Sequence, residues 1–242
     1  MEEADDKDLT KITLLLLPGL DGSGYLFANL LPELPKDMDV ITLAFPARQF
    51  LPYSDLVRWL ASAVPKNKPY ALLAESYASP LAVQFAAKDP PNLAALIISG
   101  GFISNPVKKW GPIPRVLARP FFFQFQPPAV ALKYFIAGFD APESLILAVR
   151  RAVSSVSVEV FAKRARAVID CDATKEIREV RVPMLYLHGT KDRLVGKAAL
   201  DEIKHLHPET ISISIRSPHL LLQREPRIAA HAITQFLDSH GR

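Results

Sequence analysis

Cysteine is almost absent from this chain. Its 242 residues include one, Cys171, and a lone thiol makes neither an internal disulfide nor a four-ligand zinc site. Nothing near it in the sequence supports a nucleophile, so a small, buried or half-buried side chain is the expectation. Long apolar runs are missing too. The longest near the start, Leu14 to Leu17, is far too short to span a bilayer. The first eight residues are acidic and lack the basic and apolar regions of a secretory signal, so a cytoplasmic location is expected. The glycines after the first apolar run are not followed by Gly-Lys-Ser/Thr, which excludes a phosphate loop there. There is no internal repeat, no low-complexity linker and no recognised nucleic-acid-binding motif.

What is present is the composition of a folded domain. Apolar residues make up 49% and charged residues 22%, enough for a sizeable core in one α/β domain with an insertion, or at most two small domains. The net charge is +4, and it is unevenly spread. Residues 101–181 hold 13 Lys and Arg against 7 Asp and Glu, whereas the remainder is slightly acidic.

Six apolar runs of strand length recur: Lys11 to Leu17, Val40 to Phe45, Tyr70 to Ala74, Leu93 to Ser99, Pro183 to His188 and Thr210 to Ile215. Gly, Pro or Ser bounds most of them and most lack polar alternation, the pattern of strands buried on both faces of a parallel sheet. Between them lie helical stretches. Leu56, Val57, Leu60 and Val64 share one face after a candidate cap at Ser54; a second stretch follows Pro80; a last one follows Pro226, with Ile228, Ala232, Ile233, Phe236 and Leu237 as its apolar positions. This β-α-β rhythm predicts a mainly parallel sheet of about six strands with helices on both faces. It breaks between Gly101 and Arg181, where Pro and Phe are dense and helical stretches follow at Ala129 to Ala137, Pro142 to Val153 and Val158 to Val168. Residues 1–100 and 182–242 therefore read as the core, and residues 101–181 as a helical cap inserted before the penultimate strand.

The third run leads into a helix through Ala74, Glu75, Ser76, Tyr77 and Ala78. A nucleophile on so tight a turn needs small residues two before and two after it, and Ser76 has alanines there. The rival Ser79 is flanked at the same spacing by Tyr77 and Leu81, both too large. An acid after a later strand and a histidine ahead of the last helix would complete the set in the order nucleophile, acid, histidine. Asp192 follows the fifth run and His219 the sixth; Asp170 and Asp172 are the reserve candidates for the acid. A serine hydroxyl needs a base to take its proton, a histidine of near-neutral pKa can take it and return it, and a buried carboxylate fixes the imidazole tautomer. Backbone N–H groups must also meet the developing oxyanion. Tyr77, next to the nucleophile, offers one; the loop Pro18 to Gly24 offers the other, at Leu20 or else Asp21. This chemistry requires no metal and no organic cofactor.

The segments Pro18 to Gly22, Ala74 to Ala78, Gly189 to Arg193 and Pro218–His219 resemble the α/β-hydrolase superfamily over nearly the whole chain. In size and layout the chain resembles small bacterial carboxylesterases, such as the pimeloyl-acyl-carrier-protein methyl ester esterases of biotin synthesis. The resemblance implies a serine esterase with Ser76, Asp192 and His219 as triad and the Leu20 and Tyr77 amides as oxyanion hole. Two positions depart from the family: Pro18 stands where many members have His, and Ala74 and Ala78 where they have Gly.

The insertion carries the substrate question. Phe121, Phe122, Phe125 and Phe135 are candidates to line an acyl pocket. Arg115, Arg119, Lys133, Arg150, Arg151, Lys163, Arg164 and Arg166 could steer an acidic acyl-carrier protein to the mouth or could simply form a solvated helical face. Hydrolysis of a carboxylic ester leads; thioester hydrolysis or acyl transfer by the same triad, and a ligand-binding receptor of this fold, are the alternatives.

Overall fold

The computed structural model describes residues 12–125 and 127–240. The acidic N-terminal stretch, Lys11 of the first apolar run and the first eleven residues of the expected core lie outside them. Six strands form one sheet: β1 Thr13–Leu17, β2 Asp39–Thr42, β3 Tyr70–Glu75, β4 Leu93–Ser99, β5 Met184–Gly189 and β6 Ile211–Ile215. Their order is β2-β1-β3-β4-β5-β6 and every pairing is parallel. All residues of β1, β3 and β5 are buried, whereas the edge strands β2 and β6 are partly open. Unbroken apolar runs therefore sit where both faces are covered.

Because side chains alternate across a strand, each central strand feeds two cores. Leu15, Leu17, Leu72, Ala74, Leu96 and Ile98 pack with α1 (Tyr53–Ala63), α2 (Ala78–Ala86) and α8 (Lys197–Leu206). Leu14, Leu16, Ala71, Leu73, Ala95 and Ile97 pack on the other face with Phe27, Leu30 and α10 (Pro226–His240). Each fully buried Leu or Ile contributes about 1.5–3 kcal/mol of transfer free energy, so this two-sided burial dominates the stability of the sheet.

Between β4 and β5 run α3 (Ile113–Leu117), α4 (Pro120–Phe123), α5 (Ala129–Leu132), a π turn over Lys133–Ala137, α6 (Glu143–Ser154) and α7 (Val158–Asp170). Leu132, Ala137, Leu145, Ile146 and Val149 form a third apolar cluster, which Leu220 joins from the loop after β6. The short helix α9 (Leu221–Arg224) follows that loop.

Three local expectations are corrected. The run Val40 to Phe45 leaves the sheet after Thr42, yet Leu43 N–H still donates to Leu16 O and Phe45 N–H to Gly22 O, which brings this segment against the glycine loop. Helix α1 is entered through Pro52, whose carbonyl accepts from Asp55 and Leu56; Ser54 lies inside the first turn and caps nothing. Ile228, in the first turn of α10, is 50% exposed and lies outside the cluster that buries Ala232, Ile233, Phe236 and Leu237.

Candidate active site

Strand β3 ends at Glu75, and Ser76 makes the turn into α2 with φ 49°, a left-handed conformation costly for a residue with a Cβ. Ser76 N–H is held by Ser99 O at 3.0 Å, and Ser76 O accepts from Ser79 N–H at 2.9 Å. Ala74 and Ala78 are wholly buried but have ordinary strand and helix geometry, so the strain sits on the serine and not on its flanks. Ser79 is fully buried against Gly101 and faces no base.

His219 arrives from the loop after β6. Its Nε2 stands 3.0 Å from Ser76 Oγ, and its Nδ1 stands 2.7 Å from Asp192 Oδ2. The carboxylate can only accept, so the Nδ1 proton points at Asp192 and Nε2 is left to accept from the serine hydroxyl. The histidine and aspartate side chains are almost entirely buried. Burial works to lower the His219 pKa, but the charge and hydrogen bond of Asp192, with a further contribution from Glu75, outweigh it and raise the pKa above 6.5. Asp192 Oδ1 accepts from the N–H groups of Leu194 and Val195, both at 2.8 Å, which locks the acid in its loop. The reserve acids lie elsewhere: Asp170 pairs with Arg115, and Asp172 accepts from Thr174. Cys171 is buried, and that burial pushes its thiol up to about 12.

The glycine loop borders the serine. A Cβ placed on Gly19 would stand 3.9 Å from Ser76 Cβ. Among the described residues no backbone carbonyl accepts from Leu20 N–H or Tyr77 N–H. The Tyr77 backbone is braced at its carbonyl by Tyr53 Oη at 3.0 Å.

Several supporting groups were not legible as such. Glu75, next to Ser76, is buried, and that burial lifts its carboxyl to about 7 against the opposing hydrogen bond from Gln223, 2.8 Å away, and the Gly19 backbone. Arg164 is a correction. Read as one of a set of surface cations, it is 3% exposed and donates to the carbonyls of Leu20, Asp21 and Pro46. Its spacing from Val160, one helical turn earlier on the buried face of α7, was the available signal. Other cations in that set also have structural partners: Arg150 bonds Pro127 O, Arg166 bonds Ala118 O, and Arg151 lies over the Tyr25 ring.

The four phenylalanines are exposed and contact other aromatic rings. Phe121, Phe122 and Phe125 are exposed and pack on one another, and Phe135 packs on Trp110 and Tyr134. A cavity of about 350 Å³ has other walls, among them Tyr25, Leu26, Leu145, Ala148, Gln223 and Arg224.

Comparison with known proteins agrees with this architecture. No curated protein matches the sequence. Among solved structures, the enol-lactonase from Burkholderia xenovorans LB400 superposes with a TM-score of 0.81 at 16% identity, over 95% of this chain and 92% of that one. MenH from S. aureus gives 0.79 at 17%, over 95% and 94%. A thermophilic esterase from Thermogutta terrifontis gives 0.77 at 18%, over 96% and 92%. At such identities the likeness is one of fold. The sequence pattern of the alpha/beta hydrolase family matches residues 14–231; the chain belongs to the alpha/beta hydrolase family.

Proposed function

We propose that the protein hydrolyses a carboxylic ester through an acyl-enzyme on Ser76. The observation that carries this reading is the relay Ser76 Oγ, His219 and Asp192, with separations of 3.0 and 2.7 Å. His219 Nε2 takes the hydroxyl proton as Oγ attacks the ester carbonyl carbon. The N–H groups of Leu20 and Tyr77 receive the oxyanion, a contribution of about 3–4 kcal/mol for a well-placed donor. Collapse of the tetrahedral species breaks the bond to the alcohol oxygen, which leaves with the proton held on Nε2. Water then gives a proton to His219, attacks the acyl carbon, and releases the acid and a restored serine hydroxyl. We assign residues 101–181 as a cap over this site; its support is that Leu220, next to His219, donates to Ile136 O at 2.9 Å and packs into the insertion's own cluster. The cavity between Tyr25, Leu145 and Gln223 is our choice for the substrate's variable group, because Gln223 links its wall to Glu75 beside the nucleophile.

The test is a fluorophosphonate label followed by an ester panel. Wild type should label and turn over short aryl esters, and Ser76→Ala should do neither. Labelling of Ser76 without turnover of any ester would favour a receptor over an enzyme. A preference for thioesters, or for a methyl ester only when an acyl-carrier protein bears it, would narrow the substrate class within the same chemistry.

A further inference from the structure

We infer that Arg164 is a positioning residue that lets the helical insertion set the oxyanion hole; this rests on the hydrolase reading of Ser76 and Leu20. Its Nη1 donates to Leu20 O at 3.1 Å and to Asp21 O at 2.6 Å, and its Nη2 donates to Pro46 O at 3.0 Å. The guanidinium carbon lies 5.6 Å from the Phe45 ring centroid. Among the described residues no carboxylate pairs with it: Asp21 turns its carboxylate to Ser23 instead. The buried cation is thus hydrogen-bonded by main-chain carbonyls, with the Phe45 ring and the Asp21 charge nearby, an arrangement that is costly to break because the charge would be left unsolvated. Gly22, at φ 71°, passes so close that a Cβ there would overlap the guanidinium. Leu20 is held next to its N–H: Gly19 before it lies against the Glu75 carboxylate, and its own carbonyl accepts from Arg164. Only a planar fork reaches two loop segments at once; a lysine ammonium on the same stem would serve one. A shift of α7 must therefore re-aim the Leu20 N–H.

The experiment measures Arg164→Gln and Arg164→Lys on a soluble aryl ester, with affinities for a boronic acid that mimics the tetrahedral species and for the carboxylate product. In the Gln variant kcat should fall about 10- to 100-fold, less than for outright loss of an oxyanion donor. KM should move little. Boronate affinity should fall in parallel with kcat, product affinity should hold, and the Lys variant should recover part of the loss. A folded Gln variant with wild-type kcat and boronate affinity overturns the proposal. If the Gln variant does not fold, the Lys variant decides alone: unchanged boronate affinity overturns the proposal, and reduced affinity supports it. Absence of turnover in wild type would instead strike the underlying hydrolase reading.

From separate residues, we propose that the stretch from Gly101 to Phe139 docks on an anionic lipid surface. It contains no Asp or Glu, five Lys and Arg, and nine of the chain's 21 aromatic residues. Phe121, Phe125, Ile113 and Val130 are each at least 60% exposed, and the rings of Phe121, Phe122 and Phe125 touch one another. Lys108, Lys109 and Arg119 are exposed in the same stretch. Cations attract an anionic headgroup layer, and aromatic and aliphatic side chains gain by entering its interface. An acidic partner with a wholly polar surface would satisfy the cations but leave the aromatic rings in water. Sedimentation with phosphatidylglycerol/phosphatidylcholine vesicles should capture the wild type at low salt. Pure phosphatidylcholine should capture it at least tenfold less, and the triple variant Phe121→Ser, Phe122→Ser, Phe125→Ser should lose capture. No capture by the anionic vesicles, or capture unaffected by the triple variant, overturns the idea; so does binding of an acidic carrier protein without vesicle binding.

Discussion

The two oxygens of Asp192 face different partners. Oδ1 takes the N–H groups of Leu194 and Val195, and Oδ2 takes His219. In Asp192→Asn the amide oxygen keeps the two backbone donors, so the amide nitrogen must face Nδ1 and force the imidazole proton onto Nε2, against the serine. Turnover should drop about 10⁴-fold with the fold intact, measured by steady-state kinetics and circular dichroism. That loss is smaller than for Ser76→Ala, roughly 10⁶-fold. Wild-type activity in the Asn variant would mean that another acid orients the histidine. The His219 pKa gives a second prediction. On the proposed mechanism the neutral imidazole is the base; its pKa is raised, so the ring holds its proton to higher pH than a free histidine. The acid limb of kcat/KM should therefore have its midpoint above 6.5 and activity should rise through it. Glu75 titrates at about 7, so the limb reports the coupled pair. A midpoint below 6.5 would mean that burial, and not Asp192, governs the ring.

At the level of elements, the turn from β3 to α2 concentrates the constraint. Ala78 is fully buried where the helix departs from the sheet, and no side chain larger than methyl fits without moving α2. Ala78→Leu should cost about 1–3 kcal/mol in urea denaturation. It should also lower kcat, because the Tyr77 N–H moves with the helix. The family's more usual glycine is not required here, since neither flanking residue has positive φ. The sequence pattern placed this turn and asked only for small flanks; that the strain falls on Ser76 follows from how strand and helix cross rather than from residue size.

For the molecule as a whole, Glu75 connects β3, the glycine loop and Gln223 on α9 at a site where charge is unwelcome. Its folded pKa lies above the unfolded value, so its contribution to stability is present below about pH 4.5 and is lost as pH rises to about 7. Relative to Glu75→Gln, wild-type stability should decline by about 3 kcal/mol across that window and stay level above it. Urea titrations of both proteins at several pH values check this, and a pH-independent difference would mean that the Glu75 pKa does not change on folding.

What the linear chain determined was the periodic part: six apolar runs of strand length, the inner ones covered on both faces, and Ser76, Asp192 and His219 just after strands that a parallel sheet aligns. Apolar runs and the two-residue side-chain period follow from local chemistry, so these features survive being read one segment at a time. The partners of Arg164, Glu75 and the exposed phenylalanines were settled by tertiary structure alone. A cation on an amphipathic helix is surface or clamp according to which carbonyls happen to converge on it. Phenylalanine in a proline-rich stretch lines a pocket or meets solvent according to how short helices pack. For Arg164 and Glu75 the outcome depends on distances to segments more than a hundred residues away, and composition carries no record of them.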